Sequence, residues 1–127
     1  RHGYSSYQSN LGTVLIDGAE TSPRNRTNLI LQEVGGAPCT VAVGVYRPGT
    51  VVPIGVTVVA LKAGDYVSRE LFRDLMQLDL DEIVDARVVV RQIEGDGVFM
   101  AFASKINLVT GDPANVFLRP ASAGTGR

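Results

Sequence analysis

"CTVAVGVY", residues 39–46, decides the fold. Val41, Val43 and Val45 occupy every second position, with Thr40, Ala42, Gly44 and Tyr46 between them. Side chains alternate across a strand, so this spacing predicts a β-strand with one valine face turned to a core. Gly35-Gly36-Ala37-Pro38 turns the chain into it, and Arg47-Pro48-Gly49 leads out into a loop that runs to Pro53.

The same alternation recurs on both sides. Gly12–Ala19 reads as a first strand, closed by the polar loop Glu20-Thr21-Ser22-Pro23-Arg24. Arg26–Val34 reads as a second, with Thr27, Leu29 and Leu31 on one face and Asn28, Ile30 and Gln32 on the other. Gly55–Leu61 is almost wholly apolar and is expected to be buried on both faces. Lys62-Ala63-Gly64-Asp65 turns into a short strand at Tyr66-Val67. The period then changes: Leu71, Phe72, Leu75, Met76 and Leu78 lie at helical spacing, which predicts one short helix from Ser68 to Met76 with Ser68 as its N-cap. Asp85–Ile93 places Ala86, Val88 and Val90 opposite Arg87, Val89 and Arg91. Glu94-Gly95-Asp96-Gly97 predicts a hairpin, the Asp-Gly pair suiting a primed turn, followed by strands at Val98–Ile106 and Asn115–Leu118. Short valine-rich runs punctuated by Gly, Pro, Asn and Asp indicate an all-β antiparallel sandwich or barrel. Residues 12–120 form the domain, and the Ser/Gly-rich segments 1–11 and 121–127 are read as linkers or tails.

A chain of 127 residues fits one domain that buries roughly two thirds of its unfolded surface, so no disulfide or metal staple is needed. The net charge of −1 gives no electrostatic footprint for nucleic acid or an anionic membrane. No apolar run reaches the ~20 residues of a membrane span. Cys39 is the single cysteine, and no cation flanks it to lower its pKa, so it is read as a small buried residue rather than a reactive thiol. The first residue is Arg1 rather than Met, and the expectation is a processed form or a piece of a longer chain.

Little in the chain resembles catalytic chemistry. The one histidine, His2, lies in a tail, so a Ser-His-Asp or Cys-His site has no positioned base. No glycine-rich phosphate loop precedes a helix. Asp74, Asp79, Asp81, Glu82 and Asp85 cluster in sequence, and Asp79 and Asp81 alternate, but the spacing of a calcium loop is missing. Thr110-Gly111-Asp112-Pro113, with Asn107 ahead of it, reads as a turn that delivers the last strand to a sheet edge. Asp112, Asn107, Asp79 and Asp81 are therefore only weak metal candidates, and no catalytic residue or cofactor is expected. Asn25-Arg26-Thr27 matches a glycosylation pattern and is read as accidental. Arg26, Arg87 and Arg91 are read as solvated strand positions that discourage edge pairing.

With the strands placed, three segments in order resemble a family of bacterial immunoglobulin-like β-sandwich modules of exported and cell-surface proteins: "RTNLILQEVGGAPCTVAVGVY" (26–46), "VTVVALKAGDYVSRELFRDLM" (56–76) and "ARVVVRQIEGDGVFMAFASKINLVTGDPANVFLRP" (86–120). Arg26-Thr27-Asn28-Leu29, Gly64 with Leu71-Phe72, Ala101-Phe102-Ala103-Ser104 and Thr110-Gly111-Asp112-Pro113 carry the likeness. The loop after Tyr46 departs from the family's pattern. The resemblance implies an immunoglobulin-like antiparallel β-sandwich of seven to eight strands, working as a non-catalytic extracellular structural or adhesive module. Its partners would be proteins, including copies of itself in a surface filament or layer built through tails or sheet edges. The alternative is a carbohydrate- or protein-binding accessory module of a larger exported enzyme or complex, for which Tyr4, Tyr7, Tyr46 and Tyr66 are the aromatic candidates.

Overall fold

The computed structural model describes residues 12–80 and 82–108, and the backbone of 113–114 and 117–120. The strands are β1 (Thr13–Thr21), β2 (Asn25–Glu33), β3 (Cys39–Tyr46), β4 (Gly55–Leu61), β5 (Tyr66–Glu70), β6 (Ile83–Gly95), β7 (Phe99–Asn107), β8 (Pro113–Ala114) and β9 (Phe117–Pro120). They form two antiparallel sheets, β4-β3-β6-β1-β9 and β5-β2-β7-β8. Of the sandwich or barrel that the alternation leaves open, the observed architecture is the all-β sandwich.

The core lies where the period-2 pattern places it. Val41, Val43 and Val45 of β3 and Val88 and Val90 of β6 are fully buried, as are Ile16 of β1 and Leu31 of β2. Each such side chain contributes on the order of 2 kcal/mol relative to an exposed one. β3 runs beside β6 with Val43 opposite Val90 and Val45 opposite Val88, so inward valines pair directly across the ladder. Cys39 is buried at the start of β3, as expected.

The structure corrects five expectations. First, β4 is not buried on both faces. It pairs with β3 alone among the described strands, and Val56 and Val58 are 59% and 57% exposed. An apolar run reads the same whether or not a layer covers its second face, and here no described element covers it.

Second, the helix is shorter and starts later. β5 continues through Ser68, which pairs with Ile30, to Glu70 opposite Asn28. Only Leu71–Leu75 forms a helical turn, of π type, and its N-cap is Glu70, not Ser68. Pairing with β2 wins over local capping because each residue added to β5 gains ladder hydrogen bonds. The helically spaced Leu71, Phe72, Leu75 and Met76 are nevertheless all buried.

Third, β6 begins at Ile83 and runs to Gly95, longer than Asp85–Ile93. Ile83 is buried opposite Thr21 and extends the ladder with β1. Fourth, Glu94–Gly97 does not close a hairpin: β6 and β7 lie in different sheets, so the connection crosses from one sheet to the other, and its left-handed residue is Gly95, at φ 98°, rather than Asp96 or Gly97. Fifth, the last strand is divided between the sheets: Pro113–Ala114 pairs with β7, and Phe117–Pro120 pairs with β1. Segments 1–11 and 121–127, Asp81, and Thr110-Gly111-Asp112 lie outside the described residues.

Candidate interaction surface

The two most unusual buried groups sit together at one end of the sandwich. Glu33 ends β2 on the same face as Thr27, Leu29 and Leu31, and it is 2% exposed. Its Oε2 accepts from the backbone N–H of Gly35 at 2.6 Å and of Val98 at 3.0 Å. Its Oε1 accepts from Gly36 and Gly64, each at 2.9 Å. One carboxylate thus fastens the β2–β3 loop, the β4–β5 turn and the β6–β7 connection. Burial alone would raise its pKa, but the four N–H donors outweigh it and hold the carboxyl down to about 2. Gln92, 3% exposed, completes this end by donating from Nε2 to the carbonyls of Gly95 and Gly97. Every hydrogen bond described here is internal, so the arrangement fixes loops rather than offering a free ligand group.

A second polar cluster closes the β1–β2 turn. Glu20 Oε2 accepts from Ser22 Oγ at 2.7 Å and Asn25 Nδ2 at 3.0 Å, and its Oε1 lies 3.3 Å from Lys105 Nζ. Burial pushes the Glu20 pKa up, and the bonds from Asn25, Ser22 and Lys105 carry it below the ordinary value. Asn25 and Thr27 of the glycosylation-like triplet are therefore engaged inside the fold: Thr27 Oγ1 donates to the Glu20 carbonyl and accepts from the Glu20 N–H.

Two of the four weak metal candidates are among the described residues. Asp79 is exposed in the segment after the π-turn, and Asn107 ends β7 opposite Asn25. Asp81 and Asp112 lie outside the described residues. Among the described residues no group of three or more His, Cys, Asp or Glu side chains comes together.

The remaining candidate is the outer face of the five-stranded sheet. Ala42, Gly44 and Tyr46 of β3, Val56 of β4, and Val89 and Arg91 of β6 line a shallow depression there. Gly44 forms its floor with the Tyr46 ring beside it. Arg87, opposite Tyr46 in the β3–β6 ladder, places its guanidinium carbon 5.5 Å from that ring's centre and donates to the Thr50 carbonyl at 3.3 Å. Arg87 thereby ties the loop after β3 to the sheet, a structural role that the reading of a solvated strand position missed. Arg26 and Arg91 are exposed, as expected. Past the depression, Val56, Val58 and Ala60 expose a row along β4, and Val51 and Val52 of the adjoining loop are 88% and 71% exposed. Tyr46 lies on this sheet and Tyr66 on the other, so the two described tyrosines do not form one platform.

No family model, curated protein or solved structure was found to match this chain. Among the described residues no helix is long and apolar enough to cross a membrane.

Proposed function

We propose that this chain is a non-catalytic extracellular or cell-surface structural module that assembles with other protein chains, including copies of itself, through a sheet edge. The observation that carries the reading is β4: an apolar edge strand whose outward valines are more than half exposed. Exposed apolar rows on a paired but uncovered strand mark contact surfaces, because burying them in an interface recovers the free energy left unused in the isolated domain. The ordered resemblance to exported β-sandwich modules supports the location, and the buried Glu33 carboxylate, which accepts four backbone N–H bonds from three loops, supports a rigid building block.

Light scattering coupled to size-exclusion chromatography over a concentration series tests it. The expected result is a mean mass that rises with concentration. A constant monomer mass up to about 1 mM, where an association of about 4 kcal/mol is half complete, overturns the assembly reading. Carbohydrate binding, the second reading, rests on the depression beside Tyr46 and Arg91, and a glycan array with a Tyr46→Ala control examines it.

A further inference from the structure

Taking the assembly reading as its starting point, we infer that the partner at β4 is a second copy of this chain, paired antiparallel with β4 of the first about a two-fold axis through Val58. Among the described strands the sheet edges are β4, β9, β5 and β8. Three carry devices that discourage pairing. β5 holds Arg69 and Glu70 and ends in the π-helical turn. β8 is two residues long and begins with Pro113. β9 is four residues long and contains Arg119 and Pro120. Charges, prolines and short length are the means by which sheet proteins protect exposed edges. β4 has seven residues, Gly55-Val56-Thr57-Val58-Val59-Ala60-Leu61, with no charge and no proline.

The occupant follows from the strand's own pattern. Full antiparallel pairing of a seven-residue strand with its copy must centre on the fourth residue. Val58 then meets Val58, Val56 meets Ala60, and Thr57 meets Val59. The exposed row of Val56, Val58 and Ala60 becomes continuous across the junction, and the half-buried Thr57 and Val59 continue the inner layer. Lys62, the nearest charge, falls opposite Ile54 and not opposite its own mate. A centre at Val59 would instead set Lys62 against Val56, and one at Thr57 would bring Pro53 into the ladder opposite Leu61. The Val58 register therefore gives an uncharged, proline-free junction between two five-stranded sheets. An edge of this length is small beside the roughly 1,600 Å² of a standard interface, so the association is weak and concentration-dependent.

Single cysteines on the outer row test the register. Directly opposed residues bring their Cβ atoms to about 5 Å, whereas residues four positions apart along the strand are separated by roughly 13 Å. Under mild oxidation, or with a short bifunctional thiol reagent, V58C is expected to give covalent dimer in about tenfold excess over V56C, with V56C/A60C linking again. The wild type, whose Cys39 is buried, is the unlinked control. V58K sets two lysines directly against one another and is expected to weaken association about tenfold or more. If the wild type associates but V58C links no better than V56C, the β4 register is overturned while the assembly reading stands; that is also the outcome if a tail segment or another edge mediates contact. If the wild type never associates, both are overturned.

Discussion

At the level of single residues, Glu33 stands out among the described side chains, because four backbone N–H groups from three separate loops converge on it. A glutamine in its place keeps the shape but offers one acceptor oxygen where the carboxylate has two, and turns N–H donors toward N–H donors. Glu33→Gln is expected to lower the melting temperature on the order of 10 °C at neutral pH, read by circular dichroism; a shift within about 2 °C would mean that the four bonds are not formed together. Gly97 sets a second single-residue constraint. A Cβ there would collide with the carbonyl oxygen of Ala37, while its N–H donates to Pro38. Gly97→Ala therefore pushes the β6–β7 connection away from the β2–β3 loop. Gly44→Ala, whose added methyl meets Tyr46 only at ordinary contact distance, is expected to leave stability nearly unchanged. Thermal melts of the two variants side by side separate a steric requirement from a general intolerance of alanine.

At the level of elements, the π-helical turn separates what local sequence dictates from what the sheet dictates. Glu70 accepts from the N–H groups of Phe72, Arg73 and Asp74, so Glu70→Ala is expected to cost about 1 kcal/mol. Ser68, exposed and within the β2–β5 ladder, is expected to tolerate alanine within about 0.5 kcal/mol. Denaturant midpoints for the two variants decide between the capping expected from sequence and the capping observed. Phe72→Ala removes a fully buried ring and is expected to cost about 3–5 kcal/mol. The strand alternation of β2, β3 and β6 was readable because burial on one face of a sheet is periodic in the sequence. That same parity could have located the polar end. Glu33 follows Thr27, Leu29 and Leu31 at even spacing, and Gln92 follows Ala86, Val88 and Val90. A charge on a core face beside Gly35-Gly36 is a signal that backbone donors are near. The exposure of β4 was not readable, since it depends on which strand lies beside it and on which layers cover it, and a run of apolar residues encodes neither.

At the level of the whole molecule, the loops at one end of the sandwich are held by a single ionised group, which gives the fold a specific acid weakness. The Glu33 carboxyl ionises at about 2 in the fold, against an ordinary 4.5. Between those values the folded state holds fewer protons than the unfolded chain, so stability rises with pH across that window. The contribution is fully present above about pH 4.5 and is lost as pH falls toward 2. Glu20, also lowered, acts in the same direction at the β1–β2 turn. Glu33→Gln cannot ionise, so it lacks the Glu33 contribution at every pH but keeps that of Glu20 and of the surface carboxylates. The difference in melting temperature between the native chain and Glu33→Gln is accordingly expected to be widest at neutral pH, to narrow steadily below pH 4.5, and to be smallest near pH 2. Melts of both proteins across that range at constant ionic strength measure it. A difference that stays constant with pH would show that Glu33 stabilises the fold by shape alone, and that its charge does not hold the three loops together.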